Sequence, residues 1–236
     1  MTGFVSQPKS AEAKNDAPPF LENGDHLTGT EFMRRYEAMP DARAELVNGI
    51  VYMASPTRFK QHGKPHGLIQ VWLGTYSIAT PGVDTAINAS IRLGPDDIPQ
   101  PDALLRILSE CGGQSRIDED DYLRGAPELA VEVAASTASF DAREKLESYR
   151  RYGVREYLLW RTIDKSFNWW MLQEDDYRPL PPSAEGVIQS RIFPGLWLDT
   201  AALLAGDGAG VLAKLQEGLR SSDHAAFVEA LKQPAR

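Results

Sequence analysis

The chain has 236 residues, of which 42% are hydrophobic and 25% charged. This balance allows one sizeable core, and nothing in it approaches the run of roughly 18 apolar residues that a membrane span needs. The formal net charge of −8 argues against a large phosphate-tracking surface, since nucleic-acid-binding domains are usually basic, but it allows a small one. The one cysteine, Cys111, excludes an internal disulfide and is typical of a reducing compartment, so we expect a cytoplasmic protein.

The composition divides the chain into three parts. Residues 1–24 are rich in Ala, Pro, Lys and Asn and lack an apolar h-region, which predicts a disordered leader and no secretory signal. Residues 25–200 carry the β-rich and helical patterns of one domain. Residues 201–236 are expected to form a helical extension and a polar tail.

The first half of the domain contains clear start, turn and stop signals. Thr28 to Glu31 has capping-box spacing and predicts a short helix. The Asn48-Gly49 pair between two β-rich runs predicts a hairpin. A second helix, ended by Pro81-Gly82, is predicted by four apolar residues at helical spacing, namely Ile69, Trp72, Leu73 and Tyr76.

The second half alternates β-rich runs with a helical one. We predict strands over residues 82–94, 101–108, 129–134, 155–160 and 166–172, with a last edge strand over 187–193. The polar, acidic stretch 109–127 is expected to be a solvated loop, and residues 140–153 a helix ended by Gly153. This succession predicts an α/β fold with a mixed sheet.

Four charged residues stand out against these patterns. Glu45, Asp102 and Glu132 lie in or beside segments that read as buried strands, and Lys145 follows on the next helix. A charge in a dry strand is costly unless it is paired, hydrogen-bonded or bound to a metal. Three acids brought together would repel one another, and a divalent cation would remove that repulsion. The pattern indicates a metal site that acts on phosphate.

Each of these residues also has an ordinary interpretation. Glu132 could lie at a strand end, in solvent or bonded to an arginine. Asp102 after Pro101 is common at turns, and Glu45 could be an exposed cross-strand residue. Lys145 on a helix is more often solvated than catalytic. The hypothesis of a metal site therefore rests on all four residues occurring together in this order.

Two histidines lie four residues apart, at His62 and His66. This spacing could place both imidazoles on one helical face and bind zinc. Lys64-Pro65 is expected to interrupt a helix between them, which argues against that zinc site. A contact between His66 and phosphate at a helix N-terminus remains open, beside a capping or solvent-facing role.

The order of these segments resembles a known family over residues 26–200. The matching stretches are ELVNGIVYMASP, the later His66, PDALL, PELAVEVAAST, the run from Asp141 to Tyr149, GVREYLLW and IFPGLWLD. Together they resemble the Uma2 family (the DUF820 group) of the PD-(D/E)XK nuclease superfamily. The resemblance implies a restriction-endonuclease-like mixed β-sheet flanked by helices. It also implies a metal-dependent endonuclease that acts on nucleic acid, with DNA as the expected substrate.

The resemblance assigns roles to individual residues. Asp102 and Glu132 would hold Mg²⁺ or Mn²⁺, and Glu45 would complete the metal shell or bind a second ion. Ala134 occupies the place of the superfamily's usual lysine, so that catalytic role falls to Lys145. The residues expected to contact substrate are His66, Tyr149 and Arg143, and Tyr149 could equally be a core residue. A homodimer is also plausible for a protein that must grip two strands.

Two other functions stay open at this point. The same fold could be a catalytically silent module that binds nucleic acid or protein, which the acidic charge favours slightly. It could also be a metal-dependent hydrolase of a small phosphate compound, although no Gly-rich phosphate loop is present.

Overall fold

A computed structural model describes residues 17–135 and 140–233, so the predicted leader lies largely outside the described residues. The helices are α1 (Gly29–Glu37), α2 (Lys64–Ala79), α3 (Leu146–Tyr152), α4 (Thr200–Ala205), α5 (Gly208–Leu219) and α6 (Ser222–Leu231). The strands are β1 (Ala44–Val47), β2 (Ile50–Met53), β3 (Val83–Ile87), β4 (Ile91–Arg92), β5 (Ala103–Ile107), β6 (Arg116–Ile117), β7 (Leu123–Arg124), β8 (Leu129–Ala134), β9 (Glu156–Arg161), β10 (Ser166–Gln173), β11 (Asp176–Pro179), β12 (Val187–Gln189) and β13 (Trp197–Asp199). Within these residues, no helix has the length and apolar character needed to cross a bilayer.

A six-stranded sheet forms the centre of the described structure, in the order β11-β10-β9-β8-β5-β3. Strands β8 and β9 pair in parallel, and the other neighbours in this sheet are antiparallel. The parallel pair is connected through α3, as a crossover between parallel strands requires. The predicted mixed α/β sheet is therefore confirmed.

Both faces of the central strand β8 are covered. Val131 and Val133 face a core that includes Trp72 and Leu73 of α2. Ala130 and Ala134 face a second core that contains Tyr149 of α3. Because successive strand residues point to opposite faces, Glu132 belongs to the α3 side. The strand alternation thus selects which helix can meet this carboxylate.

The hairpin of β1 and β2 turns at the predicted Asn48-Gly49 pair. Both residues have positive φ, 53° and 73°, which a tight two-residue hairpin turn demands. The register pairs Glu45 with Tyr52. This hairpin is separate from the six-stranded sheet, and backbone hydrogen bonds hold it to the loop before β5. The Leu46 N–H donates to the Ile98 carbonyl at 3.1 Å, and the Ile98 N–H donates to the Leu46 carbonyl at 2.7 Å.

Asp97, in the same loop between β4 and β5, adds side-chain hydrogen bonds to the hairpin and to α3. Its side chain is buried and accepts hydrogen bonds from the Asn48 backbone N–H at 3.1 Å, from Ser148 Oγ at 2.7 Å and from the Tyr152 hydroxyl at 3.2 Å. One carboxylate therefore joins the hairpin turn to α3. This connection brings Glu45 and Lys145 to the same side of the sheet.

Three predicted elements differ from the structure. The stretch 109–127 is not a plain loop, because β6 and β7 lie in it and β7 pairs with β4. Arg92 stabilises this small sheet by binding Asp118 at 2.7 Å and Asp120 at 2.8 Å. The single strand predicted over 82–94 is divided into β3 and β4, with Asn88 at φ 49° between them.

The last predicted edge strand, 187–193, is also wrong in part. Only Val187–Gln189 is extended and paired, and its partner is β13 rather than an edge of the central sheet. The chain then turns because the backbone N–H groups of Arg191 and Ile192 donate to the buried carboxylate of Glu156, at 2.7 and 3.2 Å.

Asp97→Ala should lower the free energy of unfolding by about 2–4 kcal/mol, because buried donors on the hairpin and α3 would lose their acceptor. Denaturant unfolding of the variant and the wild type measures this. Asp96→Ala, one residue earlier, is the control, because this change keeps the Asp96 backbone carbonyl that accepts the Gly49 N–H and removes no side-chain hydrogen bond among the described residues. Equal stabilities for the two variants would show that Asp97 does not join these elements.

Candidate functional site

Lys145 lies between two carboxylates on the α3 side of the sheet. Its Nζ is 2.9 Å from Glu45 Oε2 and 2.9 Å from Glu132 Oε1. The lysine and glutamate side chains are almost wholly buried, with Lys145 4% and Glu132 5% exposed. Three elements thus contribute one charge each, namely the hairpin, β8 and the π-helical turn that precedes α3.

Further hydrogen bonds orient the two carboxylates. The Tyr149 hydroxyl donates to Glu132 Oε1 at 2.9 Å, one helical turn beyond Lys145. The Gln100 backbone N–H donates to Glu45 Oε2 at 3.0 Å. Buried charges are tolerated when they are paired and also hydrogen-bonded. Glu45 and Glu132 are both paired with Lys145, and each accepts one of these further hydrogen bonds.

Asp102 precedes β5 and is held against β8. Its Oδ2 accepts the Val133 backbone N–H at 2.7 Å, and Val133 directly follows Glu132. Its Oδ1 is 3.2 Å from His62 Nε2. Burial alone would raise the pKa of Asp102, but His62, the Val133 N–H and Lys145 together hold it below its ordinary value. This carboxylate is therefore kept ionised.

His66 also contacts Asp102, but through the backbone carbonyl of Asp102. Its ring lies in the first turn of α2, and Nε2 donates to the Asp102 backbone carbonyl at 2.8 Å. The rings of His62 and His66 are 5.4 Å apart. The candidate ligand atoms of His62, His66 and Asp102 all lie within 4.8 Å of one another.

The expected separation of the two histidines is therefore wrong. His62 lies in a π-helical turn, Phe59–Gly63, which runs directly into α2. Pro65 falls in the first turn of α2, where its missing N–H costs no hydrogen bond. The chain thus stays helical past Pro65, and both imidazoles reach Asp102.

The predicted site residues differ in their contacts and in their burial. Glu45, Glu132 and Lys145 are in direct contact, and Asp102 adjoins them through the backbone of β8. Tyr149 is fully buried on Glu132, whereas Arg143 is exposed. The roles predicted for these residues in metal binding, catalysis and substrate contact stay predictions.

Sequence reasoning gave no role to His62 or to the segment around it, although a signal was present. Residues 46–83 contain no Asp or Glu, in a chain of net charge −8, and they carry Arg58, Lys60 and Lys64. Phe59 in the same segment is 76% exposed. These cationic and aromatic residues precede or follow His62 within four positions, and His62 itself contacts Asp102.

The donor set fits a divalent cation. Asp102 offers a carboxylate oxygen and His62 and His66 offer imidazole nitrogens within one small volume, with Glu132 on the neighbouring strand. Carboxylate and imidazole are common ligands of divalent metals in proteins. A lysine beside such a set can orient water or stabilise negative charge at phosphate.

The comparisons with known proteins agree with this architecture. The Uma2 family, described as "Putative restriction endonuclease", matches residues 30–201, and the chain belongs to that family. A crystal structure described as a "putative nuclease belonging to DUF820" from Anabaena variabilis is similar, with a TM-score of 0.55 and 11% identity. The match covers 73% of this chain and 96% of that one, and it shows a restriction-endonuclease-like fold. Among curated proteins, none matches the sequence.

A double-mutant cycle tests the buried charge pair. Lys145→Met and Glu132→Gln should each lower the free energy of unfolding by about 3–5 kcal/mol, since either leaves a buried partner unpaired. The double variant should be more stable than the sum predicts, with a coupling energy of about 1–3 kcal/mol. Denaturant unfolding of all four proteins measures it.

The matched control is the ion pair of Glu147 and Arg150 on the outer face of the same helix, at 2.8 Å. Its cycle should show much weaker coupling, because solvent screens exposed charges. Equal coupling in the two cycles would contradict a special role for the buried pair.

Proposed function

We propose that this protein is a metal-dependent endonuclease that hydrolyses phosphodiester bonds of nucleic acid, with DNA as the expected substrate. The observation that carries the proposal is the convergence of Glu45, Glu132 and Lys145, with Asp102 fixed one residue away through Val133. Membership of the Uma2 family supports the nuclease class.

Each residue has a chemical task in this proposal. Asp102 and Glu132, with Glu45 beside them, would hold Mg²⁺ or Mn²⁺. The bound cation would polarise the phosphate and lower the pKa of a coordinated water. Lys145 would orient the attacking water or stabilise charge at phosphorus, and the Tyr149 hydroxyl keeps the Glu132 carboxylate in place.

The acid-free segment supports contact with nucleic acid near this site. Arg58 and Lys60 flank the exposed ring of Phe59, which precedes His62 by three residues. Basic groups can pair with phosphate, and an exposed aromatic ring can stack on an unpaired base. This small cationic region can attract a polyanion despite the net negative charge. His66 and Arg143 would add contacts to the same strand.

A catalytically silent binding module is the second candidate. It is favoured by the Lys145 ammonium, which forms ion pairs with both Glu45 and Glu132. In that case the cluster would be a structural ion pair that fixes the hairpin to the sheet. Cleavage assays separate the two functions.

We also propose that the protein is cytoplasmic and that it forms a homodimer.

Cleavage should depend on the residues of the site. With Mn²⁺ or Mg²⁺, the wild type should cut supercoiled plasmid or single-stranded DNA, and Asp102→Asn and Lys145→Met should each reduce the rate by at least about 100-fold. Gel assays of purified proteins measure this. Asp41→Asn, at an exposed acid in the loop before β1, is the matched control and should cut normally.

Other results would favour the second candidate. Absence of cutting, or cutting that persists equally in both site variants, would remove the support for an endonuclease. Nucleic-acid binding without cleavage would then identify a binding module.

Phe59→Ala should weaken binding of single-stranded DNA by about 1–3 kcal/mol, because a stacked base would lose its aromatic partner. Fluorescence anisotropy with a labelled oligonucleotide measures the dissociation constant. Ile78→Ala is the control, since this side chain is 88% exposed on the last turn of α2. Similar affinities for the two variants would exclude Phe59 as a stacking residue.

A further inference from the structure

We propose that His62, His66 and Asp102 form a metal site that binds a divalent transition metal such as Mn²⁺ through imidazole nitrogen. The inference deepens the proposed function and rests on it for its catalytic meaning, because Asp102 belongs to both. In this site two histidine ligands join Asp102, and they change the metal that we expect the protein to prefer.

The geometry of the three side chains is the first argument. The candidate ligand atoms lie within 4.8 Å of one another, and His62 Nε2 is 3.2 Å from Asp102 Oδ1. Ligands at roughly 2.0–2.2 Å from one ion lie about 3–4 Å apart, so small side-chain rotations would complete the shell. His62 lies in the turn before α2, His66 lies in α2, and Asp102 directly precedes β5. The fold brings these three segments together.

Outer hydrogen bonds are the second argument. His66 Nε2 donates to the Asp102 carbonyl at 2.8 Å, and Asp102 Oδ2 accepts the Val133 N–H at 2.7 Å. Metal ligands in proteins are commonly oriented by such bonds to the backbone. The structure therefore holds an imidazole and a carboxylate in place before any metal arrives.

Partial exposure is the third argument. His66 is 8% exposed, whereas the side chains of Asp102 and His62 are 15% and 24% exposed. An ion held by these three partly exposed ligands would keep at least one coordination position open for water or a phosphate oxygen. Catalytic metal sites have this open form, while structural sites are closed by four protein ligands.

The ligand types determine the metal preference. Mg²⁺ prefers oxygen ligands and keeps several waters, whereas imidazole favours transition metals. A mixed set of two imidazoles and one carboxylate should therefore bind Mn²⁺, Co²⁺ or Zn²⁺ more tightly than Mg²⁺. The acids Glu132 and Glu45 lie to one side of this set, engaged by Lys145.

The experiment uses the metal-free full chain titrated with Mn²⁺. Pulsed electron paramagnetic resonance should detect ¹⁴N coupling to bound Mn²⁺ in the wild type. In His62→Ala the coupling should weaken, and the Mn²⁺ dissociation constant should rise by at least about tenfold. His26→Ala, at a histidine near the hairpin, is the matched control and should behave as wild type.

Thermal unfolding without metal checks that each variant folds. If His62→Ala is unfolded, His62→Gln and His66→Gln replace it in the same measurement, and each should show reduced coupling. Bound Mn²⁺ without nitrogen coupling, or coupling unchanged in the histidine variants, would overturn the proposed site.

The metal measurement and the cleavage assay separate two failures. Nitrogen-coupled Mn²⁺ in a protein that cuts nothing would support the metal site and refute the endonuclease. Mg²⁺-dependent cutting that is unchanged in His62→Ala and lost in Asp102→Asn would support the endonuclease and refute the histidine ligands.

Discussion

The ammonium of Lys145, buried between the carboxylates of Glu45 and Glu132, is the interaction on which the arrangement of the site depends. Removing these charges from water is costly, and only close pairing offsets the cost. The hairpin, β8 and the turn before α3 must therefore meet at one point. Asp97 supports this meeting independently by binding both the hairpin turn and α3.

Burial of an acid does not by itself identify a catalytic residue in this protein. Glu128 and Glu156 are as inaccessible as Glu132, yet their carboxylates accept hydrogen bonds that fix neighbouring chain segments. Glu132 differs because its partners are an ammonium and a tyrosine hydroxyl. The kind of partner, rather than the depth of the acid, separates a structural carboxylate from a candidate catalytic one.

Two chemically distinct clusters therefore adjoin across β8. One is the ion-paired cluster of Lys145 with its two glutamates, and the other is Asp102 with two imidazoles. The Val133 N–H, which follows Glu132 and binds Asp102, joins them through the backbone. This arrangement places a lysine next to a set of metal-type ligands, as metal-assisted phosphate chemistry would require. The acid-free stretch beside His62 gives a polyanion a local approach to both clusters.

Local patterns in the chain were enough to predict most of the elements and to single out the four unusual charges, Glu45, Asp102, Glu132 and Lys145. A nearly continuous apolar run predicted β8, the turn residues predicted the Asn48-Gly49 hairpin, and helical spacing predicted α2, because local patterns reflect which faces are buried. The long-range partners become visible only in the folded chain: that Glu45 binds Lys145, that Asp97 joins the hairpin to α3, and that His62 contacts Asp102. These contacts join residues 40 to 100 positions apart, as His62 to Asp102 and Glu45 to Lys145 show, and no local pattern encodes them. Pro65 illustrates the limit, since whether a proline breaks a helix depends on its place in the helix.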